Sequence, residues 1–273
     1  DYPKGARTPF EEHLVEAAVY VRDAGGRSRL HFTVSEEHRP SFEQLLSEAG
    51  HAYERAHRIK YEVGFSEQSP VTDTIAVDME NRPFRDRDGK LLFRPGGHGA
   101  LIDNINRLGA DLIFIKNIDN VVPDRLKGET YRWKKALGGD RLDLEGRIRN
   151  LLNRLSAQPA EEGAVDGAMA IVRDELGVVL PDGLENLDAE GKRRYLIDRL
   201  DRPLRVCGMV PSSGEPGGGP FWVRDEAGGT AIQIVESAQI NLDSEEQHQM
   251  LKGLTHFNQI GSASCRERVS FTV

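Results

Sequence analysis

The most constraining feature of the sequence is a short, almost wholly apolar run, Leu112-Ile113-Phe114-Ile115, inside the segment Asp111 to Asp119. A strand that is apolar on both faces suits a sheet covered on both sides, which is the usual setting of parallel strands. Just before it, Gly99 to Leu108 has helical spacing, with Leu101, Ile102, Ile105 and Leu108 on one face. The same alternation runs through the N-terminal part. Thr8-Pro9-Phe10-Glu11-Glu12 reads as a helix start, with Thr as cap, Pro in the first turn and acids behind it. Phe10, Leu14, Ala17, Ala18 and Val21 continue it at helical spacing. A strand is expected over Arg29 to Ser35, a helix over Arg39 to Arg55 with Phe42, Leu45, Leu46 and Ala49 inward, and a strand over Tyr61 to Gln68. Helix and strand in alternation predict an α/β fold with a mixed, mostly parallel central sheet of Rossmann-like character.

Beyond Asp124 the character changes. Residues 124–202 are rich in Arg, Leu, Glu and Asp at helical spacing, punctuated by glycines, and read as a helical insertion. Strands return in Pro203 to Val210, Phe221 to Arg224 and Thr230 to Glu236, around a glycine-rich loop from Ser212 to Pro220. The expected organisation is therefore a first part of the α/β core over 1–123, an insertion over 124–202, a second part of the core over 203–259, and a tail over 260–273. That tail differs at one position from the in-frame translation of a common sequencing adapter, and is expected to be artefactual or disordered.

Composition narrows the function classes. Thirty-six Lys and Arg against 44 Asp and Glu leave a net charge of −8, which argues against a broad nucleic-acid or anionic-membrane surface. No apolar run approaches the length of a membrane span. Two cysteines, Cys207 and Cys265, make neither a disulfide scaffold nor a four-ligand zinc site, and point to a reducing, cytoplasmic setting. His31, His38 and His51 follow no metal-ligand rhythm, and the signatures of serine hydrolases, zinc proteases and P-loop proteins are missing.

Four pieces carry chemistry. Arg94 to Leu101, with its Pro95-Gly96-Gly97-His98-Gly99 core, is a glycine loop ahead of a helix start, where main-chain N–H groups can meet an anion; a tight structural turn reads equally well. Lys116-Asn117-Ile118-Asp119-Asn120 follows the buried strand, where ligands of open α/β sheets collect. A carboxylate there suits Mg²⁺ held jointly with substrate phosphates, or else an Asx-turn. The third piece is the glycine loop from Gly214 to Pro220 with the strand end Val235-Glu236-Ser237. The fourth is Thr255-His256-Phe257-Asn258.

Taken together, residues 8–18, 93–124, 205–240 and 255–258 resemble the bacterial domain-of-unknown-function family 4301. The order of motifs is also similar, more distantly, to the eukaryotic-type UDP-N-acetylglucosamine pyrophosphorylases, nucleotidyltransferases of GT-A-like fold. Pro95 to Leu101 stands for their P-D-G-N-G-G-L loop and Asp119-Asn120 for their strand-end D-N. Val206-Cys207-Gly208 and Ile234-Val235-Glu236-Ser237 stand for two later strands, and Phe65-Ser66-Glu67-Gln68 for an F-x-Q pattern. The resemblance implies that Gln68, Gly97 and His98 contact the base and neighbouring sugar. It implies that Asp119 holds Mg²⁺, that Gly208 and Glu236 face the sugar, and that Asn258 touches its acyl or hydroxyl groups. His98 stands where those enzymes carry Asn. Lys116, with Arg94 and Lys4, supplies candidate cations. The implied full-length enzyme is a sugar-1-phosphate nucleotidyltransferase of the uridylyltransferase kind. Its partners would be a nucleoside triphosphate or nucleotide-sugar and a sugar 1-phosphate, with neither nucleic acid nor membrane. The family's upstream glycine-rich phosphate loop does not occur in these residues, so the chain is expected to be a fragment and inactive alone. The alternatives are a non-catalytic nucleotide-sugar binding protein and a GT-A-like glycosyltransferase.

Overall fold

The computed structural model describes residues 2, 5–157, 161–212, 218–224, 229–258 and 261–264, with His98, Ala238 and 261–264 described by backbone alone. The chain is mixed α/β and divides into two compact units. The first is built from Asp1–Asp111 and Ile118–Lys135, the second from Leu112–Asn117 and Ala136–Glu267.

In the first unit, helix α1 spans Pro9–Tyr20, strand β1 Arg27–Thr33, helix α2 Arg39–His57 and strand β2 Lys60–Ser66. The start of α1 is fixed locally. Thr8 Oγ1 accepts from the Glu11 N–H, and the Glu11 carboxylate accepts from the Thr8 N–H at 2.7 Å, a reciprocal cap. β1 and β2 pair in parallel, Arg27 opposite Lys60 through Thr33 opposite Ser66. Phe10 of α1, Phe32 of β1, Phe42 of α2 and Phe65 of β2 form one aromatic cluster, with centroids 4.7 to 6.4 Å apart. Such contacts add to the apolar area they remove from water.

α1 is buried more fully than an amphipathic pattern implies. Besides Phe10, Leu14, Ala17 and Ala18, it buries Glu12, His13 and Glu16. Lys127, only 1% exposed, lies 3.0 Å from Glu12 and 3.3 Å from Glu16 and donates to the Val122 carbonyl at 2.7 Å. Tyr2 also donates to Glu12, at 2.5 Å, and Arg7 lies 3.5 Å from the same carboxylate, so two cations face the two buried acids.

After β2 come a 3₁₀ turn at Pro70–Thr72, the short antiparallel pair β3 (Thr74–Ile75) and β4 (Phe93–Arg94), a 3₁₀ turn at His98–Leu101 and helix α3 (Ile102–Asn106). The expected helix over Gly99 to Leu108 is thus shorter, and left-handed Gly109 (φ 68°) follows it.

The second unit holds β5 (Ile113–Lys116). It also holds helix α4 (Lys127–Ser156) from Ala136 on, then helix α5 (Ala164–Ala170), a π-turn at Ile171–Glu175, β6 (Val178–Val179) and helix α6 (Ala189–Leu200). Leu144, Ile148, Leu151, Leu155, Ala164, Ala168, Ile171, Val172, Leu196 and Leu200 form the helical core. Each fully buried Leu there contributes about 1.5–3 kcal/mol. Then follow β7 (Arg205–Cys207), β8 (Val210–Pro211), β9 (Gly219–Arg224), β10 (Thr230–Val235), helix α7 (Glu245–Lys252), β11 (His256–Phe257) and β12 (Gly261–Ser264).

Among the described residues the strands pair as small sheets: β1-β2, β3-β4, β5-β12-β7, β6-β10-β9 and β8-β11, of which only β1-β2 is parallel. The apolar run of β5 is half-buried rather than fully so. Its Phe114 ring lies against Gly138 of α4, where an added Cβ would come within 2.7 Å of it. Residues 261–264, set outside the fold on the sequence, pair as β12 with both β5 and β7. A main-chain ladder makes no demand on side-chain identity, so a segment without a strand-like pattern can pair on both edges. Among the described residues no helix is long and apolar enough to cross a membrane.

Candidate functional site

The residues singled out by sequence fall into two groups, one in each unit.

In the first unit, Gln68 and the Gly96-Gly97 loop meet at the carboxyl end of β2, and Asp119 lies on a separate segment after β5. Gln68 lies just past β2. With its amide oriented to satisfy both groups, it accepts from the Gly96 N–H at 2.7 Å and from the Thr72 hydroxyl at 3.2 Å, and donates to the Gly96 carbonyl at 3.2 Å. The glycine loop is therefore clasped main chain to side chain. A Cβ at Gly96 would meet the Thr72 carbonyl oxygen at 2.8 Å, closer than real contacts allow, so glycine is required there. Gly97 is exposed and precedes the 3₁₀ turn that begins at His98, and its carbonyl accepts from the Ala100 N–H.

Asn104 holds the next turn in place. Only 8% exposed, it donates to the Ser66 hydroxyl at 2.7 Å and to the Glu67 carbonyl at 3.0 Å. Sequence reading counted the apolar positions around it as the inward face and passed over Asn104. A polar residue in the middle of that face was the available signal. Ser66 also meets His31 Nε2 at 2.8 Å, and burial holds His31 below its ordinary value, in favour of the neutral ring. Gly64, opposite His31 in the ladder, leaves room for that ring: a Cβ would stand 2.8 Å from Nδ1.

Asp119 is exposed. Its carbonyl accepts from the Val121 N–H, and its carboxylate makes no hydrogen bond or ion pair among the described residues. Among the described residues no three His, Cys, Asp or Glu side chains converge as a metal cluster. A lone unengaged carboxylate fits Mg²⁺ only in the mode where substrate phosphates and water complete the shell. Lys116 ends β5 half-buried, opposite Gly261 in the ladder. Lys4 and the loop residues 213–217 lie outside the described residues, as does Cys265.

In the second unit, three expected residues meet around a fourth that the sequence reading did not single out, Gly218. Asn258 is 8% exposed. Its amide donates to the Gly208 carbonyl at 2.8 Å, and its backbone N–H donates to the Gly218 carbonyl at 2.7 Å. On its other side Gly218 abuts Glu236, whose Oε1 would stand 2.7 Å from a Cβ built there. Glu236 itself is exposed, at the start of a 3₁₀ turn, Ser237–Gln239, with its N–H donating to Gln239 Oε1 at 2.9 Å. The result is a side-chain-poor surface of two glycines bounded by a carboxylate and an amide. That set suits the hydroxyls of a neutral polar ligand: a carboxylate accepts, and the Asn258 carbonyl oxygen, which accepts no hydrogen bond among the described residues, is open to a donor.

These features define a mixed α/β protein with a braced glycine loop at the end of a parallel strand pair and a separate glycine–carboxylate–amide cluster. The chain belongs to the family described as domain of unknown function (DUF4301), whose model matches residues 1–265. No curated protein matches it.

Proposed function

We propose that the protein is a nucleotidyltransferase of GT-A-like arrangement that forms a nucleotide-sugar from a nucleoside triphosphate and a sugar 1-phosphate. The observation that carries this reading is the clasp of Gln68 on Gly96, which gives the glycine loop one conformation at the carboxyl end of a parallel strand pair. Loops in that position receive ligands in open α/β folds. The resemblance of the motif order to that of the pyrophosphorylases is the second support.

In this reading the sugar 1-phosphate oxygen attacks the α-phosphorus, the bond from that phosphorus to the bridging oxygen breaks, and pyrophosphate leaves with the electron pair. Such transfers depend on positioning and charge stabilisation. Gly97 and the His98 turn present main chain to the nucleotide, and Gln68 acts through the loop it holds. Gly208, Glu236 and Asn258 receive sugar hydroxyl or acyl groups. Asp119 would hold Mg²⁺, which when bound screens the approaching anions. Lys116 is the cation nearest to it in sequence.

The test is exchange of labelled pyrophosphate into triphosphate, across a panel of nucleotide-sugars with Mg²⁺. It is run on this chain and on a longer version carrying an upstream glycine-rich loop. Exchange in the longer version, abolished by Asp119→Ala with the circular dichroism spectrum unchanged, is the expected outcome. Nucleotide-sugar binding with no exchange in either version would overturn catalysis in favour of a binding protein.

A further inference from the structure

A second feature of the first unit lies at the other end of the same strand pair. A groove of about 580 Å³ opens where α1 and α2 end and β1 and β2 begin. It is lined by Arg22, Arg55, Arg58 and Lys60, with His51, Glu54 and the Gly25-Gly26 backbone completing the wall. Seven paired residues separate this edge from Ser66, a span of about 20 Å at strand rise. The groove is therefore separate from the glycine loop at the other end of the strand pair.

Its charge is one-sided. Glu54 is the one acid in the lining, and it is already engaged: it accepts from Lys60 at 3.0 Å, His51 at 3.1 Å and the Tyr61 N–H at 3.1 Å. Arg22, Arg55 and Arg58 enter no ion pair among the described residues, and all three are exposed. Three unengaged guanidiniums on one concavity are unexpected in a chain of net charge −8. The carboxyl ends of α1 and α2 favour nearby cations, which accounts for basic residues at each end separately. It does not account for their convergence, or for Arg58 itself. Arg58 caps α2 in the left-handed conformation, φ 53° and ψ 51°, a position that ordinarily takes Gly or Asn. A long cation is held there against its backbone preference.

We propose that this groove binds a small polyanion bearing several phosphates, gripped by Arg22, Arg55 and Arg58. Guanidinium forks match phosphate oxygens two at a time, and the groove volume is that of a small-ligand site. The ligand is either a free inorganic polyphosphate or the phosphate tail of a nucleotide.

The probe is inorganic triphosphate, titrated calorimetrically into the 273-residue chain without Mg²⁺. Arg58→Gly removes the guanidinium and relaxes the cap, so affinity is expected to fall at least tenfold while the melting temperature holds or rises. Arg22→Gln should also weaken binding. Glu54→Gln, which keeps an acceptor for the Tyr61 N–H but removes the opposing charge, should tighten it severalfold. Asp119→Ala should leave triphosphate affinity unchanged, which separates this groove from the proposed catalytic residues. ATP binding as tightly as triphosphate assigns the groove to nucleotide tails, and much weaker ATP binding assigns it to free polyphosphate. No binding by the unmodified chain, an unaltered affinity in Arg58→Gly, or tighter binding of a polyglutamate peptide than of triphosphate would overturn the proposal.

Discussion

Gly218 shows how a single missing side chain shapes the second group of candidate residues. Its main chain is fixed on one side by the Asn258 N–H, while Glu236 Oε1 and Ile234 Cγ2 both stand 2.7 Å from where a Cβ would be. Ile234 is part of β10 and does not swing away as the tip of a flexible side chain would. Gly218→Ala should therefore act as overpacking, costing about 1–3 kcal/mol. Urea unfolding would measure the loss, and a change under about 0.5 kcal/mol, the size of an ordinary surface substitution, would show that the carboxylate moves aside freely. The residue is hard to single out in sequence because it sits in a run of glycines, Gly217-Gly218-Gly219, where nothing local marks one as special. Its constraint comes from Asn258 and Glu236, 40 and 18 positions away. Glu236 and Asn258 were legible only as members of a motif order, since neither carries a local signature of its own.

Elements differ in the same way between local and distant causes. The start of α1 was readable because its whole logic sits within four residues, Thr8 to Glu11. The burial of Glu12 and Glu16 was not, because it depends on Lys127 and Tyr2, and that of His13 on the Ile118 carbonyl, all brought in from elsewhere in the chain. β12 was missed for a related reason: a Gly-Ser-Ala-Ser segment has no strand pattern, and only the neighbouring β5 and β7 make it one. The glycine loop stands between these cases. Its flexible composition was evident, whereas the clasp that cancels the flexibility comes from Gln68, outside the loop. Gln68→Leu removes the partners of both Gly96 main-chain groups, at about 0.5–1.5 kcal/mol for each hydrogen bond. Amide exchange from Gly96 to Ala100 is then expected to quicken roughly tenfold or more, with α1 unchanged. Equal protection in the variant would mean that the loop is held by Asn104 and the turn beyond it, and that Gln68 is free to meet a ligand directly.

At the scale of the whole chain, titration offers a global readout. Five of its six tyrosines, Tyr2, Tyr20, Tyr53, Tyr61 and Tyr131, are held above the ordinary tyrosine value, chiefly by burial. Tyr53 and Tyr131 are pushed up to about 12, and Tyr20 and Tyr61 are also raised. Hydrogen bonds at Tyr20, Tyr53 and Tyr61 add to the effect of burial. Tyr61 donates to the Leu14 carbonyl at 2.7 Å, Tyr53 to Glu11 at 3.1 Å and Tyr20 to Glu16 at 3.3 Å. A tyrosinate cannot donate, and beside a carboxylate it adds repulsion to the loss. All five residues belong to the first unit. The sign follows from linkage. A group whose folded value is raised contributes stability that is complete below its unfolded value, near pH 10, and is lost as pH climbs through the folded value. The unfolded chain gives up these protons first, so alkali drains the folded state from about pH 10 upward. Tyrosinate absorbance at 295 nm should therefore rise in a cooperative step, coincident with the loss of far-ultraviolet circular dichroism from the first unit. A smooth rise centred near pH 10 with the helical signal intact would show that these hydroxyls are solvated, and that α1 is not the buried centre of its unit. Tyr61→Phe gives the opposite sign to an acid-sensitive site: it removes one proton-linked contribution, so the alkaline midpoint should move up while stability at neutral pH falls by the value of the Leu14 hydrogen bond, about 1 kcal/mol.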